Sequence, residues 1–182
     1  MRPLFPPPSA PLTVLLGLLA CAGETPGAPV DMDGGPRPAD LFALPPGSAA
    51  VTLGTGRSAW EDLADGAALA PTRGPQGGVH LFARLRVAGL SPDLYVSFRV
   101  VDHDSAEVLS ILGPPLRRRL GAGLEAWGDG LQSSNAELCI FLQSNPALLV
   151  GRRVRLEVAV REVGGALRGG RDGRSLVLAG GP

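Results

Sequence analysis

From Val154 the chain reads Val-Arg-Leu-Glu-Val, apolar and charged residues in strict alternation, before the pattern loosens toward Val163. A period of two puts Val154, Leu156 and Val158 on one face and Arg155 and Glu157 on the other. That is a half-buried strand of an antiparallel sheet, because a helix would scatter the same residues around its axis. Similar short runs recur from Ser48 onward: 49–53, 67–70, 79–87, 94–101, 107–112, 137–143 and 174–178. Turn formers separate them, including Asp65-Gly66, Gly77-Gly78, Ser91-Pro92-Asp93, Gly113-Pro114-Pro115, Asn145-Pro146 and Asp172-Gly173. Leu116–Trp127 has room for one short helix, weakened by Gly121 and Gly123.

Around eight short strands over residues 48–179 predict an all-β domain. The expected architecture is an antiparallel β-sandwich of the immunoglobulin or fibronectin type, with an eight-stranded barrel as the alternative. One hairpin can be specified further. Leu81, Ala83, Leu85 and Val87 stand at odd positions; Val96, Phe98 and Val100 stand at even ones. A shared core face requires paired numbers with an odd sum, and 181 or 183 leaves a tight turn at Leu90–Pro92. His80, Phe82, Arg84, Arg86, Tyr95, Ser97, Arg99 and His103 then fall on the outer face.

Residues 1–20 read as a secretory signal: Arg2, then the apolar run Leu12–Ala20, too short to span a bilayer. Leu18-Leu19-Ala20-Cys21 resembles the lipobox of bacterial lipoproteins. The resemblance implies cleavage before Cys21 and attachment of a diacylglycerol to its thiol. Ala22 after the Cys points by the same resemblance to the outer membrane. Ordinary cleavage after Ala20-Cys21-Ala22, giving a secreted protein, is the alternative. Cys139, the second of the two Cys, sits in an apolar stretch and reads as a small buried residue. A Cys21–Cys139 disulfide would require an unlipidated Cys21. In residues 22–47, Gly and Pro supply 11 of 26 positions, four acids face one arginine, and no apolar period is present. That is the composition of a disordered spacer. Leu41-Phe42-Ala43-Leu44 is the exception, a short apolar run able to dock on the body.

Candidate chemistry is sparse. His80 and His103, with Asp102 and Asp104, could supply a zinc or copper shell, since a sum of 183 sets the two histidines opposite each other. Against this, no local ligand spacing is present, and two strand-end histidines need no metal. The nucleophile elbow, the zinc-protease helix, paired Cys-x-x-Cys, the phosphate loop and the calcium loop are all absent from the sequence. No enzyme activity and no cofactor are therefore expected. All 17 basic residues are arginine and 17 acids balance them, which excludes a dedicated nucleic-acid binder. Arg117-Arg118-Arg119 reads as a solvated loop, with attraction to lipid phosphates as the functional alternative. Trp60 and Trp127 read as packing residues rather than a sugar platform.

Gly74-Pro75-Gln76-Gly77-Gly78-Val79-His80 is the most distinctive string, a tight glycine-rich turn feeding a strand. Gly74 to Gly78, His80 and Arg86 resemble a turn in uncharacterised myxobacterium-type envelope lipoproteins, over residues 50–100. The resemblance implies a class and no chemistry. The expected function is a non-enzymatic, lipid-anchored envelope module whose lipid meets the membrane and whose body meets a protein or polysaccharide partner. The alternative is a periplasmic metal-binding protein using His80 and His103.

Overall fold

A computed structural model describes residues 40–142, 145–164 and 168–180; the signal run, Cys21 and the linker up to residue 39 lie outside them. The described chain is all-β. Its strands are β1 Ala50–Thr55, β2 Glu61–Asp62, β3 Ala67–Leu69, β4 Thr72–Arg73, β5 Val79–Ala88 and β6 Asp93–Asp102. They continue with β7 Leu116–Leu120, β8 Gly123–Trp127, β9 Gly130–Ser133, β10 Glu137–Ile140, β11 Arg153–Glu162 and β12 Gly169–Leu178. A 3-10 turn, Pro146–Leu148, is the sole helical element among the described residues.

All twelve strands join one sheet, ordered β2-β1-β5-β9-β8-β7-β6-β11-β12-β3, with β4 and β10 flanking the first half of β5. Pairing is antiparallel except for β7 with β8 and β12 with β3, which run parallel. The sheet is therefore mixed rather than wholly antiparallel as expected. The ladder path is open, yet β1 and β12, next to its two ends, approach each other. Ala49 N–H donates to Gly169 O at 2.9 Å, and Leu53 N–H to Asp172 Oδ2 at 2.7 Å. Gly170 permits this, since a Cβ there would stand 2.4 Å from the Ala49 oxygen.

The alternation holds where it was cleanest. Val154, Leu156 and Val158 are all fully buried, as are Leu81, Ala83, Leu85 and Val87 on β5 and Val96 and Val100 on β6. Each such large aliphatic side chain contributes about 1.5–3 kcal/mol of burial.

The β5–β6 hairpin does not form. Parity fixes a residue's face but not its neighbour. Both strands keep the predicted core face, yet β11 pairs along β6 from Asp102 to Leu94, and β5 is held between β1 and β9. The intervening link is tied elsewhere: Ser91 N–H donates to Glu162 Oε1 at 2.7 Å, and Leu120 N–H to Pro92 O at 3.0 Å. The short helix at Leu116–Trp127 is also absent. Gly121 and Gly123 take φ of 79° and 92°, which split the segment into β7 and β8. Residues 107–112 contribute only isolated bridges, Val101 to Val108 and Ser110 to Phe141.

Leu41-Phe42-Ala43-Leu44 docks as a strap on the outer face of β6 and β11. Leu41 is fully buried against Tyr95 and Ala159. The Arg171 guanidinium donates to the carbonyls of Leu41 (2.9 Å), Phe42 (2.8 Å) and Leu44, and Arg161 donates to Pro45 O. Arg99 stacks 4.0 Å above the Phe42 ring. Tyr95 is thus on the outer face, as its parity required, and is covered there.

Candidate functional site

The wall of the sheet parts beside Phe98. One edge of β6 is paired with β11 over nearly its whole length. The other edge is paired with β7 only from Asp93 to Val96. It is met again at Val100, which accepts from Leu109 N–H at 2.8 Å and donates to Ser110 Oγ at 2.9 Å. Antiparallel alternation turns the Phe98 N–H and C=O toward the gap between these two stretches. No described residue pairs with Phe98 on that side. The sequence explains the break: Pro114 and Pro115 have no N–H to donate, so the chain entering β7 cannot extend the ladder.

The gap opens into a cleft of about 530 Å³. Its walls are Phe42 from the strap, Val96 and Phe98 from β6, Leu116 from β7, Leu138 from β10, and Ile111 and Leu112. Asp40, Ser97 and Glu137 supply its polar side chains. Several of the apolar walls face water: Ile111 is 55% exposed, Leu112 53% and Leu138 50%. Ile140 and Leu142 continue the ridge beyond the cleft. An exposed apolar ridge thus lies beside an unpaired strand edge, with backbone groups that an added strand could satisfy. Glu137 is engaged by Arg118 at 2.5 Å, so one rim carboxylate is already neutralised.

The residues singled out for chemistry are dispersed. Cys21 lies outside the described residues. His80 is buried on β5, opposite Thr72 of β4 and Ile140 of β10. Its ring stands edge-on to Phe82 at 5.1 Å. Burial first, and the Arg57 charge second, hold its pKa below the usual histidine value. The glycine-rich string is the β4–β5 turn: Gly74 N–H donates to Gly78 O, Gly77 takes φ of 82°, and Gly74 lies against the imidazole of His80. His103 is exposed in the turn after β6, with its Nδ1 3.2 Å from Asp104 Oδ1. The β5–β6 ladder that set the histidines opposite each other is the pairing that does not form.

Asp102 and Asp104 have other employment. Asp102 Oδ1 accepts from Ser105 N–H at 2.9 Å and Asp104 N–H at 3.1 Å, and the first of these leads the lowering of its pKa. Asp104 Oδ1 accepts from Arg153 at 2.7 Å. Among the described residues, no three His, Cys, Asp or Glu side chains group as a metal shell. The arginine triplet is a strand rather than a loop: Arg117 grips Asp93 through two bonds of 2.8 and 2.6 Å, which holds the Asp93 carboxyl below its usual range. Trp60 and Trp127 are not core residues; they flank Arg86 on the outer face.

Cys139 is buried and free, and burial pushes its thiol up to about 12. In a Cys21→Ser chain, where Cys139 is the last thiol, alkylation at pH 8 is expected only after unfolding. The folded state favours the protonated thiol, so its contribution is complete below the unfolded pKa. Stability is expected to fall as pH rises from about 9 to 12. Rapid labelling of the folded chain at pH 8 would refute the burial.

No protein-family profile, curated protein or solved structure matches this chain.

Proposed function

We propose that the chain is a non-enzymatic, lipid-anchored module of a bacterial cell envelope, held at the outer membrane through Cys21, and that the cleft beside Phe98 receives an extended segment of a protein partner. The anchor rests on the lipobox-like Leu18-Leu19-Ala20-Cys21. The binding role rests on one observation: a strand edge whose Phe98 amide and carbonyl are unspent opens between exposed aliphatic walls. An added strand would satisfy that backbone pair, and alternate side chains would enter the apolar walls. Binding is favoured over catalysis because the described lining offers no histidine or cysteine, and of its acids Glu137 is paired with Arg118.

For the body we favour the eight-stranded barrel over the two-layer sandwich. The ring β1-β5-β9-β8-β7-β6-β11-β12 has eight members, and the contacts of Ala49 with Gly169 and Leu53 with Asp172 draw its ends together. Such a closure would cover the facing edges of β1 and β12, and it leaves the edge of β6 at Phe98 unpaired.

The test is chemical crosslinking in intact envelopes. Leu138→Asp and Ile111→Asp replace exposed side chains, so each variant is expected to fold with stability within about 0.5 kcal/mol of the parent. Both are expected to lose a crosslinked protein that the parent retains. An unchanged crosslink pattern would dismiss the cleft as the docking site.

A further inference from the structure

The two tryptophans of the chain, 67 positions apart in sequence, are brought to either side of one guanidinium. Arg86 on β5 has its Cζ 4.0 Å from the Trp60 ring centroid and 4.1 Å from that of Trp127. Register builds the arrangement. Thr52, Arg86, Gln132 and Glu125 are successive cross-strand partners on β1, β5, β9 and β8, and Trp127 shares the face of Glu125 two residues on. Trp60 folds back over Gly54, where any Cβ would meet its ring at 2.5 Å.

The polar groups beside the stack are fixed. Trp60 Nε1 donates to Asp62 Oδ1 at 2.7 Å. Arg86 Nε donates to Gln132 Oε1 at 3.1 Å, and Gln132 Nε2 donates to Glu125 Oε1 at 2.5 Å. The terminal nitrogens of Arg86 make no hydrogen bond or ion pair with any described residue. A guanidinium clamped in position with unspent donors is prepared to donate to something else. Trp127 is 41% exposed, and Thr52, Asp62 and Glu125 are exposed around it.

We propose that this stack is a binding platform for a neutral glycan. The open face of Trp127 suits the carbon–hydrogen face of a pyranose. Arg86 supplies donors, and Asp62, Glu125 and Gln132 supply planar acceptors and a donor for ring hydroxyls. The core of a protein interface is depleted of charged residues. Here the neighbours Glu61, Asp62 and Glu125 are carboxylates, which would repel an acidic polymer. The platform uses none of the residues of the Phe98 cleft, so either site can fail alone.

Because both tryptophans are in the platform, their fluorescence reports it directly. The full chain is titrated with cellohexaose, maltohexaose and chitohexaose, and with an oligogalacturonate as the acidic comparison. A saturable change with at least one neutral hexasaccharide is expected. By calorimetry, Trp127→Ala should weaken that binding about tenfold or more. Trp127→Phe should recover part of it, and Leu138→Asp in the cleft should leave it unchanged. No saturable response to any neutral hexasaccharide, binding of the acidic oligomer alone, or full affinity in folded Trp127→Ala would each overturn the proposal.

Discussion

Replacing Arg84 with methionine is expected to destabilise the fold by about 2–6 kcal/mol, from two buried carbonyls left without donors at about 1–3 kcal/mol each. Arg84 is only 4% exposed, although its parity places it on the outer face of β5. Its guanidinium donates to Gly56 O at 2.9 Å, Ser133 O at 3.0 Å and Arg57 O at 3.3 Å. One side chain thus ties the loop after β1 to the end of β9. Methionine fills much of the space and supplies no donor. Lysine keeps the charge but, as a single ammonium, cannot span carbonyls on opposite sides, so Arg84→Lys should recover only part of the loss. Denaturant unfolding measures both. A methionine variant within about 0.5 kcal/mol of the parent, the range of an ordinary surface change, would show that the buried fork does not hold these segments together. The same variant should loosen the loop that carries Trp60 over Gly54, a change visible in tryptophan fluorescence.

Cys21→Ser is expected to move the protein from the detergent phase to the aqueous phase of a membrane extract. Each buried methylene contributes about 0.8 kcal/mol, and two or three acyl chains make retention effectively complete, whereas serine carries none. Among the described residues, no helix is long and apolar enough to cross a bilayer and substitute for the lipid. A Cys21→Ser chain that stays in the detergent phase would mean that something other than an acyl group, such as the exposed Ile111–Leu112 ridge, holds it there.

Local pattern carried the fold a long way. The alternation of Val154 to Val158 and the parity of Leu81 to Val87 predicted faces that are buried as expected, because side-chain direction follows from the chain alone. Neighbours were a different matter. Nothing in residues 79–101 says that β6 prefers β11 to β5; that choice is made by residues 52 to 68 positions downstream. The strands β2, β4 and β9 are two to four residues long, too short for a period of two to register. The helix considered at Leu116–Trp127 was refused by its two glycines and by Arg117 and Arg118, which reach across to Asp93 and Glu137.

The cleft was half legible. Gly113-Pro114-Pro115 announced a break in pairing, but not that the break would fall beside Phe98. The stack of Trp60, Arg86 and Trp127 was invisible, because it needs the register of four strands at once. The apolar run Leu41–Leu44 stood out in a Gly- and Pro-rich segment, and it docks. The histidine pair fails for the same reason that the hairpin does: opposition across a ladder was inferred from a neighbour that β5 does not have.

Intact-mass spectrometry of the chain extracted from bacterial membranes addresses the anchor most directly. The expected species begins at Cys21, carries a diacylglycerol on its thiol and has lost residues 1–20. A mature chain beginning at Gly23, or any species with an unmodified Cys21, would contradict it.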